Sequence, residues 1–195
     1  DTTYYFRAKA VGDGISYGGE VSFLTKPAAP TNVAASDGTD PTKVVVTWTK
    51  STGATGYKVY EGANLLDTLG DVATYDDTDT PAGTITPGEA SASDGTSTAH
   101  VVLSLAGESV ANGAPRTYKV VAFNAAGDSA DSATDTGYRG TGSITYQWQR
   151  SAADSDADYS DIDGGTTDPY NDTDAPSNGD GRYYRCVLNA TGATQ

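Results

Sequence analysis

Thr117-Tyr118-Lys119-Val120-Val121-Ala122-Phe123 is the stretch on which the fold turns. Tyr118, Val120 and Ala122 alternate with Lys119, Val121 and Phe123, and the run is β-branched and aromatic. That pattern predicts a strand with one buried face. Four more runs read the same way: Tyr4 to Val11, Val44 to Trp48, Tyr57 to Tyr60, and Arg182 to Leu188. Turn residues bound them, as in Asp37-Gly38-Thr39-Asp40-Pro41 before Val44 and Ser51-Thr52-Gly53 after Trp48. No window carries a capped 3.6-residue period. Many short strands at short spacing predict an all-β chain of antiparallel sandwiches or a barrel.

Composition agrees. Of the 26 acidic residues only Glu20, Glu61, Glu89 and Glu108 are glutamate; the rest are aspartate, a turn former and a poor helix former. The formal net charge of −14 argues against nucleic acid as a partner, since phosphate binding needs basic patches. One His and one Cys leave no ligand set for a His/Cys zinc site and no pair for a disulfide. No 18-residue apolar run or export signal is present, so this segment is expected not to insert into a membrane.

Internal repeats set the organisation. Ala35-Ser36-Asp37-Gly38-Thr39 followed by Val44 to Trp48 returns 57 residues later as Ala92-Ser93-Asp94-Gly95-Thr96 followed by Val101 to Leu105. Tyr75-Asp76-Asp77-Thr78-Asp79-Thr80-Pro81 returns 95 residues later as Tyr170-Asn171-Asp172-Thr173-Asp174-Ala175-Pro176. A tyrosine-led strand ending in a glycine turn occurs three times, at Tyr4, Tyr118 and Tyr184. Parts of three sandwich modules are expected.

These residues resemble known patterns. Lys26-Pro27-Ala28-Ala29-Pro30-Thr31-Asn32-Val33 is similar to the linker and first strand of a fibronectin type III module. Val46-Thr47-Trp48, Gly56 to Tyr60, and Tyr118 to Asn124 with Gly127 resemble its second, third and sixth strands. The resemblance implies Trp48 as core tryptophan and Tyr118 as the tyrosine corner. Residues 1–25 resemble the last two strands of a preceding type III module. Residues 26–138 then form a type III-like module with an inserted segment, 80–115, where the family has a short connection. Tyr146-Gln147-Trp148-Gln149 and Asp180 to Cys186 resemble the tryptophan strand and the Asp…Tyr-x-Cys strand of an immunoglobulin-like module, placed at 139–195 and lacking its last strand. The partner cysteine expected from that resemblance is replaced by Leu105. The resemblance then implies that apolar packing of Leu105, Trp148 and Cys186 takes over from the disulfide, with Tyr184 expected in the same core. Each such side chain is worth roughly 1.5–3 kcal/mol, against roughly 2–5 kcal/mol for a lost disulfide.

The first strands of the immunoglobulin-like module are available only from 83–110, ahead of Tyr118. Three arrangements are then open: two interleaved sandwiches, a tandem pair with a long surface insertion, or a separate small β-unit. Both ends open inside a module. That pattern predicts an excerpt of a long repeat protein, or completion by neighbouring subunits through strand exchange.

Chemistry-bearing residues are few. Asp154, Asp156, Asp158, Asp161 and Asp163 alternate along one acidic run, and such oxygens can converge on Ca²⁺ at about 2.3–2.6 Å. The EF-hand pattern fails, because its sixth position is Tyr159 and its twelfth Gly165. Asp172, Asp174, Asn178 and Asp180 form a second acidic group, and Asp76, Asp77 and Asp79 a third. The competing reading of all three is a solvated acidic loop. Asn171 and Asn189 match the N-glycosylation sequon. His100 reads as a surface histidine, Cys186 as a sandwich thiol, and Tyr5, Tyr17 and Tyr159 as outward-facing. No cofactor is expected beyond a calcium ion.

The expected role is non-catalytic and extracellular: a stalk, adhesin repeat or filament subunit of a prokaryotic surface or secreted protein. Its expected partners are copies of itself, neighbouring modules, glycans or host surface proteins. The alternative is a carbohydrate- or protein-binding accessory module of a secreted enzyme, which predicts an exposed aromatic row on one face.

Overall fold

The computed structural model describes residues 2–95, 97–176 and 180–195, so Thr96 and Asn178 lie outside the described residues. Every regular element among them is a strand. Ahead of Pro27 lie β1 (Thr3–Phe6), β2 (Lys9–Val11), β3 (Ile15–Tyr17) and β4 (Val21–Leu24). Next come β5 (Thr31–Ala35), β6 (Val44–Thr49), β7 (Gly56–Glu61), β8 (Asn64–Leu69) and β9 (Thr74–Asp77). They are followed by β10 (Gly83–Thr86), β11 (Glu89–Ala92), β12 (Val101–Ala106) and β13 (Ser109–Ala111). Then come β14 (Arg116–Asn124), β15 (Gly127–Asp128) and β16 (Asp135–Gly137). The chain closes with β17 (Thr145–Ser151), β18 (Tyr159–Asp161), β19 (Tyr170–Asp172), β20 (Tyr184–Asn189) and β21 (Ala193–Thr194).

The strands gather into two compact units. One holds Asp1–Asp37, Lys43–Asp79 and Pro115–Tyr138; the other holds Gly38–Thr42, Thr80–Ala114 and Arg139–Gln195. The short piece Gly38–Thr42 belongs to the second unit for a visible reason. Arg139 donates from Nε and Nη2 to the Pro41 carbonyl at 3.1 and 2.9 Å, and Gly140 N–H donates to the Asp40 carbonyl at 2.9 Å.

In the first unit one sheet runs β5-β6-β9, and the other runs β15-β14-β7-β8 with β16 also paired to β14. All these pairings are antiparallel. Counted from β5 within this unit, the first, second and fifth strands thus share one sheet, and the third, fourth and sixth share the other with β15 and β16. That is a fibronectin type III-like sandwich. Its core follows from alternation. Val44, Val46 and Trp48 of β6 meet Tyr57 and Val59 of β7 and Tyr118, Val120 and Ala122 of β14, all buried. The Trp48 and Tyr57 rings sit 5.4 Å apart at a tilt of 52°. Gly56 is required where the Phe123 ring crosses its own strand: a Cβ there would lie 2.4 Å from the ring and 2.4 Å from the Leu69 carbonyl oxygen.

In the second unit one sheet runs β11-β12-β19 and another runs β18-β17-β20. A third, β13-β10-β21, pairs β10 with β21 in parallel. The expected absence of a last strand is therefore corrected. Gly192, at φ 78, turns the chain so that Ala193 and Thr194 pair with Gly83 and Thr84. Leu103, Trp148 and Ile162 form one buried cluster, and Ile85, Leu188 and Ala190 another. Leu105 and Cys186, both half-buried, pack against both clusters. The residue fully buried with Trp148 is thus Leu103 rather than Leu105. The two leucines share one face of β12, and Leu103 lies at the level of the tryptophan.

Among the described residues the strands of the opening segment pair only with one another. Tyr4 stands opposite Phe23 and Phe6 opposite Val21 in the β1–β4 pair, and β2 pairs with β3. Every residue from 2 to 23 is exposed.

Replacing Gly56 by alanine is expected to lower the stability of the first unit by roughly 1–3 kcal/mol, as overpacking does. Chemical denaturation followed by the Trp48 signal, in a Trp148→Phe background, checks it; an unchanged midpoint refutes the crowding argument.

Candidate functional site

The aspartates repeated at Tyr75 and Tyr170 carry the same device in both units. In the first, β9 ends at Asp77, whose side chain is 2% exposed. Its Oδ1 accepts the Asp79 N–H at 3.0 Å, and its Oδ2 accepts the Tyr118 hydroxyl at 2.8 Å. In the second, β19 ends at Asp172, 1% exposed. Its Oδ1 accepts the Asp174 N–H at 3.2 Å, and its Oδ2 accepts Tyr184 Oη at 3.2 Å and Arg150 Nη1 at 2.6 Å. Each tyrosine lies on the sheet opposite its aspartate, so the hydroxyl fastens one sheet to the other across the core.

A tyrosine corner bonds its hydroxyl to backbone. Tyr118 instead bonds to a side-chain carboxylate, and this corrects the expected partner. Burial pushes the Tyr118 hydroxyl well above its ordinary range, and its hydrogen bond to Asp77 adds to the effect. Burial, with the charge of Asp172 second, pushes Tyr184 up to about 12. Acidity in the sequence groups Asp77 and Asp172 with solvated or cation-binding acids. The signal that separates them is the shared Tyr-x-Asp-x-Asp spacing together with a tyrosine-led strand for each copy.

The acidic run Asp154 to Asp163 is not drawn to a point. Asp154 lies against the backbone of Gly181. Asp156 accepts the Tyr159 hydroxyl, and Asp161 accepts Gln149 Nε2 at 2.7 Å. Asp158 sits at φ 52, where its carbonyl accepts the Ala152 N–H at 3.2 Å, and the Asp163 carbonyl accepts the Tyr170 hydroxyl at 2.9 Å. Among the described residues no three His, Cys, Asp or Glu side chains are grouped as a metal site.

The other singled-out residues are dispersed. His100 is half-buried, its Nδ1 3.3 Å from Ser97 Oγ. Cys186 is a free thiol whose pKa is raised by burial. Asn171 and Asn189 are exposed, on β19 and at the end of β20. Tyr5 faces solvent at 66% exposure; Tyr17 is 49% exposed, with the Arg7 guanidinium 3.9 Å over its ring. Tyr159 does not stand open, because the Arg185 guanidinium covers its ring at 4.2 Å. Lys58 and Lys119 cover Phe123 and Tyr60 in the first unit in the same way, at 5.6 and 5.2 Å. An open cleft in the second unit is bordered by Ser93, Asp94, Asp180, Arg182 and Tyr184, a set of mixed charge and polarity.

No family model matches the chain, and no curated protein matches it. Among the solved structures similar to it are two. One is described as the structure of FN3tt mut, 15% identical, with 57% of this chain and 94% of that chain covered at a TM-score of 0.37. The other is the crystal structure of chicken CNTN1 FN1-FN3 domains, 17% identical, with 97% of this chain and 70% of that chain covered at a TM-score of 0.37. The type III-like description rests on the strand order and core given above.

Two outcomes are expected from the fasteners. Both hydroxyls hold their protons more tightly when folded than when unfolded. Their stabilisation is therefore complete below pH about 10 and lost as pH rises from there through the folded values. Alkaline unfolding should start in that window, and the double variant Tyr118→Phe, Tyr184→Phe should flatten it. A wild-type alkaline limb that the double variant leaves unmoved counts against the idea. Asp172→Ala strands Arg150 without its partner and is expected to cost about 3–5 kcal/mol. Asp77→Ala, with no Arg–carboxylate pair to break, is expected to cost about 1–3 kcal/mol. Urea titration of each variant gives the order.

Proposed function

We propose that this chain is a non-catalytic scaffold segment of an extracellular or cell-surface protein, serving as a stalk, an adhesin repeat or a filament subunit. The observation that carries the reading is the use made of the two buried carboxylates. Asp77 and Asp172 are both taken up in fastening one sheet to another, and neither faces a cleft. The other described acids lie outside the buried cores, on loops and on partly or fully exposed strand positions, where they add charge and solubility. A single half-buried thiol whose pKa burial raises suits a chain that passes through an oxidising compartment without mispairing.

The accessory-module reading needs flat aromatic rings open to a sugar. The rings on the outer sheet faces, Tyr60, Phe123 and Tyr159, are each covered by a cation. Open rings stand on the β1–β4 pair, where Tyr4 and Phe23 stack on each other with centroids 5.2 Å apart, and at Tyr183 in the second unit, 47% exposed, and they form no common row. That geometry favours the scaffold reading. Pairing of β1 with β4 within the chain does not favour the filament version that builds by strand exchange at the ends.

Antibodies raised against the 195-residue chain are expected to label intact cells of the source organism and to lose that label after brief surface proteolysis. Label that appears only after permeabilisation refutes the placement outside the cell. A glycan array probed with the same chain should stay blank; specific binding that survives high salt would return the accessory-module reading.

A further inference from the structure

We infer that Arg139 is a clasp through which the two units hold each other folded, so that neither unfolds without the other. This holds for a stalk and for an accessory module alike.

The chain leaves the second unit twice and comes back. It goes out after Thr42 and returns at Thr80, and it goes out again after Ala114 and returns at Arg139. Within the first unit both excursions close on themselves. Val44 pairs with Asp77 at the foot of one, and Arg116 pairs with Gly137 at the foot of the other. On the side of the second unit a single residue closes both. The Arg139 guanidinium donates from Nε and Nη2 to the Pro41 carbonyl at 3.1 and 2.9 Å, and from Nη1 to the Thr80 carbonyl at 2.8 Å. That ties the departure of the first excursion to its return. The Arg139 carbonyl accepts the Gly113 N–H at 3.0 Å, which does the same for the second. Pro41, Thr80, Gly113 and Arg139 all belong to the second unit.

Arginine suits this place. Its planar fork carries five N–H donors and keeps its charge, so one side chain can bond carbonyls from two separate segments at once. The segments are packed as well as bonded. A Cβ on Gly113 would lie 2.1 Å from the Pro81 carbonyl oxygen, and one on Gly140 would lie 2.0 Å from the Gly38 carbonyl oxygen.

The coupling is entropic. With the first unit unfolded, residues 43–79 and 115–138 become free loops, and the second unit must hold their ends together against closure entropy. With the second unit unfolded, residues 80–114 become such a loop within the first. Each folded unit therefore relieves the other of loop closure. Releasing Arg139 lets the residues at the crossings fray, and ends brought together in one unit are then no longer held together for the other.

Native-state hydrogen exchange on the 195-residue wild type tests this without needing a variant to fold. The slowest amides of β7 and β14, in the first unit, and of β17 and β20, in the second, are expected to share one opening free energy, that of global unfolding. Arg139→Met keeps the length of the side chain and removes its donors. In that variant the slowest β17 and β20 amides are expected to exchange about tenfold or more faster than those of β7 and β14, after correction for intrinsic rates, the scale of one charge-assisted hydrogen bond. Arg139→Lys keeps the charge without the fork and should part the two sets by less. Arg150→Met takes a cation from the same unit at a point where Arg150 bonds to Asp172, away from the crossings, and should speed both sets equally. Two separate values in the wild type overturn the proposal. So does a common value that persists in both Arg139 variants, or a separation in Arg150→Met as large as in Arg139→Met.

Discussion

A buried carboxylate that must be satisfied is the constraint around which both sandwiches are arranged. Asp77 and Asp172 lie almost fully out of water, where an unpaired charge is costly. Each is answered by a tyrosine hydroxyl reaching over from the opposite sheet and by a backbone N–H two residues on. This ties register to polar satisfaction. A one-residue slip of β14 or β20 would turn its tyrosine outward and leave the aspartate unanswered, besides turning out the apolar set. Polar and apolar requirements thus select the same pairing. The second unit adds Arg150, which makes Asp172 part of a three-member network and explains why the same aspartate motif sits in two unlike electrostatic settings.

The fold was legible because it rests on alternation. Val44, Val46 and Trp48, and then Tyr118, Val120 and Ala122, are spaced two apart and are buried as that spacing requires. The candidate sites were less legible. Acidity alone does not tell a solvated aspartate from a buried one, and Asp76 and Asp77, adjacent in sequence, have opposite fates. Asp76 pairs with Lys43 at the surface, while Asp77 faces the core. Strand alternation separates them, but only once β9 is known to pair with β6. Leu103 and Leu105 pose a similar problem: same face, same residue type, and only the level of Trp148 decides which of them is sealed.

The outer faces show how an acidic chain uses its few cations. Lys58 bonds to Asp128 at 2.7 Å while lying over Phe123, and Lys119 bonds to Asp131 at 2.6 Å while lying over Tyr60. Each ammonium thus serves a carboxylate and an aromatic ring at once, with its alkyl stem shielding the ring from water. At the exposed end of the scale such pairs contribute little individually. Their structural effect is to leave few open rings outside the first hairpin.

The path of the chain has a consequence for how the protein is made. Strands β5 to β9 leave the ribosome together, yet β14, which brings Tyr118, Val120 and Ala122 to their core, is translated only after residues 80–114. Those intervening residues are themselves unfinished, since Trp148 and β20 come later still. For the time taken to translate these stretches, Val46, Trp48 and Leu103 face solvent on nascent sheets whose edges are open to any passing strand. Anything that delays completion of residues 80–138 lengthens the time for which those faces and edges stay open.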